Sequence, residues 1–180
     1  MSGLRAGALV LAGRLMRYPG PTYVDDLRAF AEVSAQLGLD SSQRLKVFAD
    51  EAEDRSVEDL QEMFTQTFDM TPKAALEVGW HLFGEDYARG AFLVDMRAKL
   101  RRHDIPEGSE LPDHLASLVT LVTRMDAEEA DAFVASALLP AVEKMLGSLQ
   151  ETESPFVPAM SGLREVLLQS VPAHLEVSHA

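Results

Sequence analysis

Apolar residues recur along this chain at spacings of three and four. Leu4, Ala8, Leu11, Leu15 and Tyr18 form one helical stripe, which Pro19-Gly20-Pro21 ends. Tyr23, Leu27, Phe30 and Leu37 mark a second helix, with Gly38 as its stop. Ser41 or Ser42 is a candidate cap for a third, whose apolar face is Leu45, Phe48, Ala49 and Ala52. Ser56 and Asp59 approximate a capping box ahead of Leu60, Phe64 and Phe68. Thr71-Pro72 reads as a cap and first position of a short helix through Leu76, Trp80 and Phe83, ended by Gly84.

Residues 85–103 hold the longest clean pattern, with Tyr87, Ala91 and Val94 on one register and Phe92, Leu93, Met96 and Leu100 on another. A turn-rich link, 104–112, contains two prolines and a glycine. Leu115, Leu118, Leu121, Val122 and Met125 continue the repeat. Asp126 caps a further helix through Phe133, Ala137, Val142 and Leu149, which Pro140 is expected to kink. Leu163, Val166 and Leu167 mark the last helix, and residues 171–180 read as a frayed tail. Ile occurs once and no run alternates at period two. The expectation is one all-α domain over residues 1–170, a bundle of about eight to nine helices.

Composition narrows the function. The 180 residues carry 16 basic and 29 acidic side chains, net −13, which speaks against direct nucleic-acid binding. The absence of cysteine removes disulfides, thiolate metal sites and a cysteine nucleophile. The longest unbroken apolar run, residues 6–13, is far short of the roughly 20 residues of a membrane span. It lacks a small-x-small cleavage site and runs into Arg14 and Arg17, so a cytoplasmic location is expected.

Catalytic constellations do not emerge. Glu77/His81 and Glu110/His114 are spaced at i, i+4, whereas di-iron bundles use duplicated Glu-x-x-His at i, i+3. The first pair reads as a helix-surface hydrogen bond and the second as a helix-start feature. No zinc motif, phosphate loop or nucleophile elbow is present. The run Asp50, Glu51, Glu53, Asp54 reads as a solvated helix face. The eight methionines suit either core gap-filling or an adaptable binding surface. These features favour a binding or chaperone role over an enzyme.

Two stretches carry a resemblance. One is Phe64-Thr65-Gln66-Thr67-Phe68-Asp69 with His81-Leu82-Phe83-Gly84-Glu85, Arg89-Gly90 and Val94-Asp95-Met96. The other is Glu110-Leu111-Pro112-Asp113-His114-Leu115. Arg17-Tyr18-Pro19 and Leu138-Leu139-Pro140 support them. Together they resemble the redox-enzyme maturation chaperones of the nitrate reductase delta-subunit (NarJ/TorD-like) family. The resemblance implies an all-α TorD-like fold and a non-enzymatic, cytoplasmic chaperone. Such a protein binds the immature catalytic subunit of a molybdenum oxidoreductase of the DMSO reductase family. It does so through that subunit's N-terminal, signal-like peptide, and holds the subunit for cofactor insertion. It binds no cofactor stably, since the molybdenum cofactor belongs to the client. Phe83-Gly84-Glu85-Asp86-Tyr87 and Ala116 depart from the nitrate reductase pattern, which widens the implied clients to ethylbenzene, dimethyl sulfide, chlorate or selenate types. A stable adaptor subunit of the mature complex and, less favoured, a helical-bundle metal enzyme are the alternatives.

A basic, apolar peptide calls for an apolar groove with carboxylates at one end. The expected groove joins the end of the Phe64/Phe68 helix, the segment 84–89 and the segment 110–115. Asp69, Glu85, Asp86, Glu110 and Asp113 are the candidate charges, and Phe64, Phe68, Phe83 and Leu111 the candidate apolar contacts. Pro112, His114 and Arg89 complete the set, with Arg89 expected to pair Glu85 at i, i+4. Asp69, Glu85 and Asp113 also read as helix-end caps. The assembly expected is a monomer, or a dimer that exchanges elements at the 104–112 hinge.

Overall fold

The computed structural model describes residues 2–169 and builds them into nine helices, with no strand among the described residues. They are α1 (Gly3–Leu15), α2 (Tyr23–Gln36), α3 (Ser42–Glu53), α4 (Val57–Phe64, prolonged by a π-helical turn, Thr65–Asp69), α5 (Val78–Phe83), α6 (Ala88–Arg102), α7 (Leu115–Val122), α8 (Ala127–Glu151, with a π turn at Val134–Leu138) and α9 (Val157–Leu168). The all-α expectation therefore holds. The expected tail at 171–180 lies outside the described residues.

Helix α1 is the hub. It packs on α2, α7 and α9, while α3 closes over α2 and α9. Its buried face is Ala8, Leu9, Ala12, Leu15 and Met16, so the stripe is rotated from the expected one. Leu4 and Tyr18, placed inside by spacing alone, are exposed. Small Ala8 and Ala12 let three neighbours approach one helix, while Leu9, Leu15 and Met16 fill the space beside them. Phe48, Phe64 and Phe68 surround Phe156 edge-on, with ring centroids 5.0 to 5.8 Å away. Four of the methionines, Met16, Met96, Met145 and Met160, fill this core.

The helix ends follow sequence chemistry in part. Ser56 and Asp59 form a complete capping box, and Asp126 accepts from the Glu129 amide at 2.9 Å. Gly38 leaves α2 with a φ of 69°. Ser41, however, caps nothing with its side chain. Its hydroxyl and amide both donate to Glu165 Oε2, at 3.0 and 3.1 Å, pinning the start of α3 to α9.

One expectation is corrected. Thr71-Pro72 does not start a helix; α5 begins only at Val78. The cause is an isolated antiparallel bridge between Glu77 and His114, which holds Glu77 extended just ahead of α5. Val78 donates to the Asp113 carbonyl at 3.0 Å and Leu115 to the Leu76 carbonyl at 2.8 Å. Pro140 lies within a continuous helix. The preceding π turn, in which the Leu139 amide reaches the Val134 carbonyl, widens the coil where the proline cannot donate. Finally, the register Tyr87, Ala91, Val94 of α6 faces solvent, and Met96 and Leu100 are the residues buried.

Helix α8 is 25 residues long, and an 18-residue stretch of it has a mean hydropathy of 1.4, long and apolar enough by those measures to cross a membrane. More than half of that stretch is buried in the bundle, where Val134, Leu138, Val142 and Met145 are fully enclosed. The linear reading missed it because charges and Pro140 divide the apolar run.

Candidate functional site

A groove of about 560 Å³ opens where the ends of α1 and α4 meet the 105–110 loop and the start of α7. Tyr18 and Phe64 meet edge-to-face in its wall, centroids 5.9 Å apart at 87°. Phe64 in turn stacks on buried Phe68 at 4.7 Å, so the wall continues into the core. The π turn explains how α4 delivers both rings and then Asp69 to the rim. A five-residue turn carries one residue more than an α turn, rotating whatever follows it.

Asp69, Glu107 and Glu110 line the groove against Arg17 and Arg124. Two of these charges are committed. Glu107 bridges Arg97 at 3.2 Å and Arg101 at 2.7 Å. Arg124 donates to the carbonyls of His103 and Asp104 at 2.8 and 2.9 Å, tying the loop to α7. Asp69 and Glu110 are exposed and form no ion pair among the described residues.

His114 closes the groove floor. Its Nδ1 accepts from the Ala116 amide at 3.3 Å and caps α7. This fits the helix-start reading. Burial pushes the imidazole below its ordinary pKa, with Glu110 and Asp69 acting upward and Arg17 downward. The ring is therefore neutral at pH 7, with a polar edge beside the groove.

Asp113 lies beneath this surface, fully buried. Its Oδ2 accepts from the Gly79 amide at 2.9 Å, and its Oδ1 has no hydrogen-bond partner among the described residues. Burial pushes its carboxyl above the usual range, while the Gly79 bond and the Arg89 charge act downward. A Cβ on Gly79 would stand 2.7 Å from that oxygen and 2.9 Å from the Phe92 ring. Glycine is thus a steric requirement for the clasp.

The remaining expected residues gather elsewhere. Phe83 packs on Phe92 at 5.5 Å and Arg89 lies over Trp80, 5.6 Å from its ring centre. The expected Arg89–Glu85 pair does not form. Glu85 precedes α6 and is exposed, and Asp86 caps that helix by accepting from the Ala88 amide at 2.8 Å. Leu111 is 45% exposed, and Pro112 is buried. The expected three-part groove is accordingly two-part: Phe64, Asp69, Glu110 and His114 line it, and Phe83, Glu85, Asp86 and Arg89 do not. The expected Glu77–His81 bond is also absent. His81 Nε2 pairs with the Ala75 carbonyl at 2.7 Å, and Lys144 donates to the His81 carbonyl at 2.5 Å.

Sequence reasoning missed Arg124 and the loop residues Ile105 to Ser109 as groove walls. Arg17 and Tyr18 stood only as supporting marks at the end of α1. Among the described residues, no group of three or more His, Asp or Glu is arranged to hold a metal ion.

Residues 27–161 match the nitrate reductase delta subunit family, and the chain belongs to that family. It is 26% identical over 152 residues to the nitrate reductase molybdenum cofactor assembly chaperone NarJ of Escherichia coli K12, a match covering 82% of this chain. The NarJ of Escherichia coli O157:H7 matches to the same extent. The chain spans 64% of the length of these curated relatives.

Proposed function

We propose that this protein is a cytoplasmic, non-enzymatic assembly chaperone for the catalytic subunit of a molybdenum oxidoreductase of the DMSO reductase family. It holds that subunit through a basic and apolar N-terminal peptide while the cofactor, which stays with the client, is inserted. The supporting observation is the groove between α1, α4 and α7. Tyr18, backed by buried Phe64, offers apolar surface, and Asp69 and Glu110 supply exposed carboxylates with no ion-pair partner among the described residues. An arginine side chain entering beside them gains a charge-assisted, two-pronged contact.

Isothermal titration with the client's N-terminal peptide, at low and raised salt, tests the reading. Binding that weakens as salt rises is expected, since exposed charges are screened within about 10 Å at 0.1 M. Reversing both carboxylates (D69K with E110K) should weaken binding at least about tenfold while leaving helicity intact. No binding, or binding indifferent to salt and to both reversals, overturns the groove mechanism.

A further inference from the structure

Helix α6 is apolar on two opposite faces. Met96 and Leu100 lie on the face that packs on α5 and α7. On the other side Tyr87, Ala91, Val94 and Ala98 repeat at i, i+4, i+7 and i+11, all exposed. Tyr87 is 94% exposed and Val94 68%. A single outward apolar residue is ordinary, but a continuous stripe over three turns has the form of an unfilled helix seam.

The order of side chains on that stripe identifies what covers it. We propose that a second copy of this chain docks there, its α6 antiparallel to the first across a two-fold axis. Residue numbers that face each other in such a pair have a constant sum. With a sum of 185, Tyr87 lies over the partner's Ala98 and Val94 over the partner's Ala91, so each large side chain meets a small one. The same register carries exposed Glu85, just ahead of α6, to the partner's basic end, where Arg102 is exposed and Arg101 is already paired with Glu107. Large opposes small and acid opposes base at both ends, a self-complementarity that a two-fold contact demands and a chance solvent face does not need. Two or three turns of one helix make a small interface, so the dimer dissociates in the roughly micromolar range.

This assembly differs from exchange of elements at the 104–112 hinge, and it does not depend on the groove. Sedimentation velocity of the full chain, from roughly 1 to 200 μM, reads it. The wild type is expected to shift from monomer to dimer. V94E, at an exposed position, should raise the dissociation constant more than tenfold with unchanged circular dichroism. E85R alone and R102E alone should each stay monomeric, because each places like charges together. A mixture of the two should form a heterodimer, since each variant then meets its opposite charge. The absence of cysteine makes a second readout clean: A91C should form a disulfide-linked dimer on mild oxidation, and V10C on exposed α1 should not. A wild-type monomer at every concentration overturns the proposal. So does a dimer indifferent to V94E with no A91C cross-link, which would point to hinge exchange. Loss of client-peptide binding in V94E with the oligomeric mass unchanged would assign the stripe to the client instead.

Discussion

The Gly79 amide donates to Asp113 Oδ2 at 2.9 Å, joining the start of α5 to the segment that leads into α7. With the backbone bridge at Glu77 and His114 it forms three hydrogen bonds between chain segments more than 30 residues apart. This clasp sets where Glu110 and His114 stand on the groove. Asp113 is thus placed to position the groove from below, although its charge marked it in the sequence as a contact.

The clasp is open to substitution. G79A drives a methyl group into Asp113 and Phe92 and is expected to cost about 1–3 kcal/mol in urea unfolding. D113A removes the acceptor and leaves a buried amide unpaired, at a similar cost of about 1–3 kcal/mol. Unchanged unfolding midpoints in both variants would show the clasp to be dispensable.

Close packing of α9 makes a second prediction. A Cβ on Gly162 would lie 2.8 Å from Phe30 and 3.0 Å from Leu45, so α2, α3 and α9 approach one another only because that position has no side chain. G162A should lower stability by about 1–3 kcal/mol, read as a reduced thermal midpoint. G147A, with open space around its Cβ on α8, should not lower it.

Acid should weaken the fold through two histidines. Burial holds His81 and His114 below their ordinary pKa of 6.5, so between the depressed and ordinary values the unfolded chain binds more protons than the native one. Stability therefore falls as pH drops through about 6.5. Glu77 and Asp113 act oppositely: their raised values mean that protonation at lower pH relieves a cost. H114N keeps an N-cap acceptor and removes one titrating ring. Urea unfolding at pH 7 and pH 6 should show a smaller drop in H114N than in the wild type, and equal drops would refute the assignment.

The aromatic wall predicts a division between binding and stability. Tyr18 is 57% exposed and touches Phe64 only by its edge. Y18A should cost about 1 kcal/mol or less of stability but weaken peptide binding several-fold. Calorimetry and unfolding on the same preparation separate the two effects.

Much of the fold was legible because helical spacing survives in a single sequence. Ser56, Gly38 and Asp126 marked helix ends that the structure keeps. Spacing does not say which of two apolar faces is buried, and so both registers of α6 stayed open. Nor could the late start of α5 be placed, because the bridge that holds Glu77 extended has its partner at His114. The resemblance strings contained Phe64, Asp69, Glu110 and His114, which do meet in the groove. They also contained Phe83, Glu85 and Arg89, which lie away from it on α5, α6 and the link between them. Arg124 carried no local signal, since its role exists only once α7 lies beside the 103–110 loop.

The ties on that loop bear on how long a guest stays. Glu107 is held by Arg97 and Arg101, and the turn at 103–104 by Arg124, so the lip of the groove is fastened largely by charge. Rising ionic strength then loosens the lip as well as the guest's own ion pairs. Dwell time should shorten more steeply with salt than the charges on the peptide alone account for, and the excess should appear in the rate of escape rather than the rate of capture.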